Sequence, residues 1–401
     1  MPLPVSYMGT KRQLAGHVAE IASLSPPGPL LDVFSGMCAV ASAVAPKRQI
    51  WTNDLQHFAR AVSQAHFCSR SAPPSRLDAA ALVMGTYSQH IRAHSAIASG
   101  RLASEESALK NGDCSALNQT YDEWQDSAPL PRRELSSGVD AVLFRDTFAG
   151  AYFGLSQSIE IDAIRRGLDD AFAEERLDTD QHRWLLLALC VALSKCSTST
   201  GHFAQPLTAK TPSIRRFAKQ RSRSIRDEWL GAVELLKPVG GRRWRGRNRA
   251  YLGEAVETLK CLQNETSHPA VVYADPPYTD DQYSRFYHVY DTLIRYDYPE
   301  SFGRGRYRPD RAVSTFSLSS KVTQSLGELI ESSANIGADL IISYPTNGLM
   351  ANSRDLIPAL IRDHFGNEPT VYEIAHQHST MGASKGVGKH NVTEVIYRAF
   401  H

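Results

Sequence analysis

The chain has 401 residues, 42% of them apolar and 21% charged, proportions that exclude a disordered or fibrous protein and leave room for two domains or one large domain carrying an insertion. The formal net charge of +2 hides a strong segregation: residues 101–180 hold 8 basic and 17 acidic side chains, whereas 201–252 hold 13 basic and 3 acidic ones. The six cysteines form no CxxC pair, which speaks against a zinc site or a disulfide framework and suits a reducing cytoplasm. The longest apolar run, Leu185 to Leu193, falls well short of the roughly 18 residues that a membrane span requires. The start, Met1-Pro2-Leu3-Pro4, lacks the basic and apolar stretches of a signal peptide, so a cytoplasmic location is expected.

In chain order, Leu14, Val18 and Ile21 at helical spacing predict a helix over Lys11–Leu24, ended by Pro26-Pro27-Gly28-Pro29. Leu30–Phe34 reads as a buried strand leading into small residues that open a second helix, and Ile50-Trp51-Thr52 as the next strand, closing at Asn53-Asp54. Leu55, Phe58, Val62 and Ala65 mark the helix after it. Alternating strand and helix predicts an α/β sheet with parallel strands. Residues 70–140 predict weak helices interrupted by loops, and helical spacing returns over Asp146–Lys195. Ala270–Ala274 reads as a strand that stops at Asp275-Pro276-Pro277-Tyr278, Leu340–Tyr344 as another, and Thr370–His376 with Thr393–Phe400 as a closing antiparallel hairpin. The simplest parse is one discontinuous α/β domain, 1–67 and 250–401, interrupted by a mainly helical insertion over 68–249.

The sharpest chemical signal is Asp275-Pro276-Pro277-Tyr278 directly after a buried strand, because ligands of open α/β sheets bind outside the carboxyl ends of the strands. The tetrapeptide suits a planar base with an exocyclic amine. The Asp275 carboxylate accepts one amine proton and the Pro276 carbonyl the other, two prolines fix the backbone, and Tyr278 offers a stacking face. The competing reading is a polar turn whose Asp caps a helix and whose Tyr packs in the core. Asp32-Val33-Phe34-Ser35-Gly36 adds an acid and a close-approach glycine at a strand end, suited to a cofactor's cationic amino group. Asp54, at the next strand end, stands where a nucleoside cofactor's ribose hydroxyls would meet an acid.

Taken in order, Tyr7-Met8-Gly9-Thr10-Lys11-Arg12, Asp32-Val33-Phe34-Ser35-Gly36, Asn53-Asp54 and Asp275-Pro276-Pro277-Tyr278 resemble the motifs of the Dam-like adenine DNA methyltransferases. The middle of the chain is similar only through Tyr152-Phe153-Gly154 and Thr200–Gln205. The resemblance implies a Rossmann-like S-adenosylmethionine-dependent fold with an inserted target-recognition region. It further implies that Tyr7, Lys11, Asp32, Phe34, Gly36 and Asp54 line the cofactor pocket, and that Asp275, Pro276, Pro277 and Tyr278 hold a flipped adenine. Two positions depart from the pattern, Val33 where the family has Pro and Cys38 where it has Gly, and Gly253-Glu254-Ala255 matches a further motif or simply starts a helix. The implied reaction is methyl transfer to adenine in double-stranded DNA, within a restriction-modification or defence setting that would supply partner proteins. The alternatives are cytosine in DNA or adenine in RNA as target, or an inactive nucleic-acid-binding relative.

The insertion carries the basic residues. Arg215, Arg216, Lys219, Arg221 and Arg223 form one run, and Arg243, Arg245 and Arg247 flank Trp244 in a second. Clustered arginines beside an aromatic suit phosphate clamping, so both runs are expected to face DNA, with Arg304, Arg306, Arg308 and Arg311 extending that surface. Tyr283 and Arg285 are expected to face substrate, and Lys385 and Lys389 to touch phosphate. His376 and His378 are expected to face solvent, and no metal site is expected.

Overall fold

The computed structural model describes residues 3–7, 11–127, 141–378 and 390–401. Met8, Gly9, Thr10, the 128–140 part of the insertion, and Lys385 and Lys389 lie outside them, as do the side chains of His376 and His378. One seven-stranded sheet organises the chain: β1 (Leu30–Asp32), β2 (Ile50–Asp54), β3 (Arg249–Leu252), β4 (Val271–Ala274), β5 (Asp339–Pro345), β6 (Thr370–His378) and β7 (His390–Ala399). Their spatial order is β3-β2-β1-β4-β5-β7-β6. The first five run parallel, and β7 pairs antiparallel with both β5 and β6. The chain therefore builds outward from β1 to β3 on one side and from β4 onward on the other, leaving a crevice at the carboxyl ends of β1 and β4.

Both faces of the sheet are covered, which is why its central strands read as unbroken apolar runs. Leu30, Val271, Tyr273, Ile341 and Ile396 point into one core, and Leu31, Val272, Leu340, Ile342 and Val395 into the other. On the second face lie the helices Ala255–Leu262, Val322–Asn335 and Ser353–Phe365. The first face is larger. Helices Ala15–Ser23 and His57–Ser63 share it with Leu155–Ala173, Thr179–Cys196 and Ile225–Val233 from the insertion. Trp184 and Trp229 are fully buried there and donate their indole N–H groups to the carbonyls of Ser71 and Leu185. Much of the inserted segment is thus continuous with the sheet's own core rather than a body apart from it.

One expectation needs correction, and two further features could not be read from the sequence. The stretch after residue 70 is more regular than its composition suggests, with helices at Arg76–Ile97, Ser99–Asn111 and Cys114–Ser127. Their apolar stripes are thin, and Arg76–Ile97 buries only Ala79, Val83, His90 and His94. The short polar-started strand β3 was not anticipated. Finally, Cys38 adopts a left-handed conformation at φ 57° and caps the helix Ala39–Val44, the conformation for which glycine is the favoured residue. Among the described residues no helix is long and apolar enough to cross a membrane, and no group of His, Cys, Asp and Glu side chains is placed to hold a metal.

Candidate active site

Parallel pairing brings the strand ends together: Asp32 at the end of β1, Asp54 at the end of β2, and Asp275 just past β4. They open into one cleft, placed where open α/β sheets bind their ligands. Tyr7, Lys11, Asp32, Phe34, Gly36, Asp54, Asp275, Pro276, Pro277 and Tyr278 all line it. Residues more than 260 positions apart along the chain therefore converge on one crevice.

Local geometry explains several of these choices. Gly36 sits at φ +45°, and a Cβ there would lie 3.2 Å from Cε1 of Tyr7. Tyr7 cannot readily yield, because its ring stacks on buried Tyr287 at 4.2 Å and 14°. The Gly36 N–H donates to Asp54 Oδ2 at 2.8 Å and the Gln56 N–H to Oδ1 at 2.9 Å. Burial raises the Asp54 carboxyl to about 6 against the opposing pull of these N–H groups. Asn53 fixes the surrounding loops: its amide donates to the carbonyls of Val33 and Gly253 at 3.2 and 2.9 Å and accepts from the Thr258 hydroxyl. Phe34 packs edge-on against Phe316 at 5.0 Å.

The centre of the cleft is a buried charge cluster. Lys11 Nζ lies 3.0 Å from Asp275 and 2.6 Å from Glu394 Oε1, and 5.2 Å from the centre of the Tyr278 ring. Burial works against the lysine's charge, but Asp275 and Glu394 outweigh it and hold the ammonium above its ordinary pKa. Burial likewise pushes Asp275 upward, opposed by Lys11, and pushes Asp32 upward with help from the Asp275 charge. Glu394, on β7, is fully buried and also accepts from the Ser343 hydroxyl at 2.8 Å. Nothing in the sequence singled it out. The nearest signal is a lone acid in a strand, Val392-Thr393-Glu394-Val395-Ile396, with apolar residues at both alternations.

The mouth of the cleft is formed by the start of helix Tyr283–Arg295 and the segment pinned to it. Gln282 and Ser314 exchange hydrogen bonds, and the Ser284 hydroxyl donates to the Ala312 carbonyl. Tyr283 lines the cleft, and Arg285 is exposed beside it with its guanidinium on Tyr307. Arg311 lies over the same ring at 4.9 Å. Glu254 is half-buried at the start of helix Ala255–Leu262.

Each of the two basic runs is split between the surface and the interior. Arg215, Arg216 and Lys219 are exposed on the helix Ile214–Arg221. Arg221 is instead buried, donating to the Ala151 carbonyl at 3.0 Å beneath the rings of Tyr121 and Phe217. Arg223 is half-buried and pairs with Glu228. In the second run Arg243 and Arg247 are exposed, while Arg245 is buried against the carbonyls of Ser69 and Gly240. That run immediately precedes β3, whose parallel partner β2 ends at Asp54, so it lies at the end of the sheet opposite the cleft. A four-residue strand spans about 13 Å, which separates these arginines from the Asp275–Tyr278 tetrapeptide. Arg308 is also internal, paired with Asp297 and Asp310.

Comparison with known proteins bears directly on this cleft. Residues 255–341 match the model of the D12 class N6 adenine-specific DNA methyltransferases, a stretch that contains the tetrapeptide and runs from the helix after β3 into β5. Over that stretch, about a fifth of the chain, it is similar to these adenine-specific methyltransferases. It is 25% identical over 170 residues to modification methylase LlaI of Lactococcus lactis subsp. lactis, covering 42% of this chain and 24% of that protein. It is 25% identical over 224 residues to type II methyltransferase M.FokI of Planomicrobium okeanokoites, covering 56% and 30%. With modification methylase StsI of Streptococcus sanguinis the identity is 21% over 350 residues, 86% of this chain and 44% of the relative. The chain thus spans less than half the length of these curated relatives. Its mixed α/β architecture around a central sheet fits a methyltransferase fold.

Proposed function

We propose that this chain transfers a methyl group from S-adenosylmethionine to the exocyclic amine of adenine in double-stranded DNA, as the modification component of a restriction-modification or defence system. The observation that carries this reading is the convergence of Asp32, Asp54, Lys11 and Asp275–Tyr278 on one cleft at the carboxyl ends of β1, β2 and β4. The sheet is read as the Rossmann-like fold of such enzymes, and the helices of the insertion as the region that engages DNA.

The residues present fit the cofactor. Gly36 leaves a space that a Cβ would close, and acids stand at both strand ends where an amino group and a ribose would lie. Asp32 would hold the cationic amino group, Asp54 the ribose hydroxyls, and Tyr7 and Phe34 would wall the site. When bound, S-adenosylmethionine supplies a methyl group on a sulfonium, activated for direct displacement. Extruding a base costs a few kcal/mol, which stacking on Tyr278 and hydrogen bonds to Asp275 and Pro276 would offset. Asp275, as a carboxylate, would accept a hydrogen bond from one amine N–H and the Pro276 carbonyl from the other, so that the nitrogen lone pair is drawn out of conjugation with the ring. The side chains position and polarise the amine, and no covalent enzyme intermediate is required.

Incubation with unmethylated plasmid and cofactor, followed by sequencing that maps modified bases, tests the reading. Modified adenines in a fixed sequence context are expected. Asp275→Ala is expected to abolish transfer while leaving cofactor binding largely intact, and transfer that survived the substitution would refute the mechanism.

A further inference from the structure

We propose that Glu394 is a positioning residue for this site: by sharing the Lys11 ammonium with Asp275, it controls the charge carried by the base-binding carboxylate. The inference rests on the methyl-transfer reading above. One ammonium lies between two buried carboxylates, 2.6 Å from Glu394 and 3.0 Å from Asp275. Glu394 is the better satisfied of the two, because Ser343 donates to the same oxygen that Lys11 contacts. It reaches the cluster from β7, where it pairs in register with Pro345 at the end of β5, and is fully buried.

Among the described residues, the remaining groups around Asp275 supply no second cation. Asp32 on β1, Tyr273 on β4, Tyr278 in the tetrapeptide and Tyr283 on the following helix are acids or neutral phenols. Lys11 is thus the group that favours the Asp275 carboxylate, and Glu394 opposes it both by its own charge and by its claim on the lysine. The carboxylate is the form that accepts the amine proton, so activity should fall as acidification protonates Asp275. Neutralising Glu394 leaves Lys11 to Asp275 alone and should carry that fall to lower pH.

The test is the pH profile of kcat/KM for methyl transfer to unmethylated plasmid, which reports groups of the free enzyme, in wild type, Glu394→Gln and Glu394→Asp. The acidic limb is expected to move down by on the order of one pH unit in Glu394→Gln and to return toward its original position in Glu394→Asp. A limb that stays in place while the rate falls would reduce Glu394 to a packing role and overturn the proposal. A ligand-free reading comes from 13C NMR of aspartate-labelled protein, with Asp275→Asn assigning the resonance. The Asp275 titration should move with the limb, and an unmoved titration also overturns the proposal. Should the Gln variant fail to fold, Ser343→Ala takes its place, since loss of that hydroxyl lets Glu394 neutralise earlier. The limb should then move the same way by a smaller step, and a fixed limb again refutes the idea. Because the NMR titration needs no turnover, it separates failure of this proposal from failure of the methyl-transfer reading, which Asp275→Ala addresses.

Discussion

Replacing Gly36 with alanine should damage stability and cofactor binding together, by amounts that follow from the backbone and one contact. At φ +45° an L-residue pays about 1–2 kcal/mol for the left-handed conformation. The new methyl group would lie 3.2 Å from Tyr7 Cε1 and 3.3 Å from its hydroxyl, an overpacked contact costing roughly 1 kcal/mol. Tyr7 has little room to retreat because Tyr287 backs it at 4.2 Å. The total of about 2–3 kcal/mol corresponds, at about 2.1 cal/mol/K per residue, to a fall in Tm of about 3 °C for a chain of this size. Displacing the Gly36 N–H, which holds Asp54 at 2.8 Å, should weaken S-adenosylmethionine binding by about tenfold or more, equivalent to about 1.4 kcal/mol. Thermal denaturation without ligand and isothermal titration with it measure the two effects. The double variant Tyr7→Ala, Gly36→Ala should recover the contact part as a coupling energy while the backbone part persists. An unchanged Tm together with unchanged affinity would show that the cofactor does not pass over Gly36 and would refute the cradle.

The basic residues divide into two classes with opposite signatures. Arg215→Ala, Arg216→Ala and Lys219→Ala should leave stability within about 0.5 kcal/mol but weaken DNA binding across sequences, and each lost phosphate contact should lower the salt slope by about 1. Arg221→Ala, which empties a buried site beneath Tyr121 and Phe217, should cost about 2–4 kcal/mol in chemical denaturation. Arg243→Ala with Arg247→Ala, at the far end of the sheet, should leave affinity for a short duplex unchanged, and a loss there would mean that DNA wraps beyond the cleft edge. In native protein a thiol reagent should label exposed Cys261 and spare Cys38, whose thiol is buried and pushed upward in pKa by that burial. Labelling of Cys38 at a comparable rate would show that the cofactor loop opens.

The strand ends were readable because buried parallel strands are continuous apolar runs that stop at polar residues, and Asp32, Asp54 and Asp275 each stand at such a stop. The closing hairpin was readable for a different reason, two strand-like runs flanking a glycine-rich stretch of sequence. β3 escaped because Arg249-Ala250-Tyr251-Leu252 is a short edge strand that begins with a charge and has no residue fully covered. The helices between 76 and 127 were legible only as weak, interrupted ones because each buries only a few side chains, leaving little periodicity to detect. Arg221 and Arg245 were misplaced because a charge run gives no sign of which member turns inward. That depends on a carbonyl supplied from elsewhere in the chain, Ala151 for one and Ser69 for the other. Glu394 was illegible for a related reason: its partner Lys11 lies 383 positions away, beyond the reach of any local pattern.

That separation also dictates when the site can exist. A ribosome that has delivered the N-terminal segment, the first two strands and even the Asp275 tetrapeptide has made every group that would touch cofactor and base. Lys11 at that stage has only one of its two anionic neighbours, and β5, whose edge receives β7, is still to be made. At roughly 5–20 residues per second, the interval from Asp275 to Glu394 lasts several seconds or more. Through that interval the nascent chain holds an unfinished pocket, and completion waits for the final hairpin to dock.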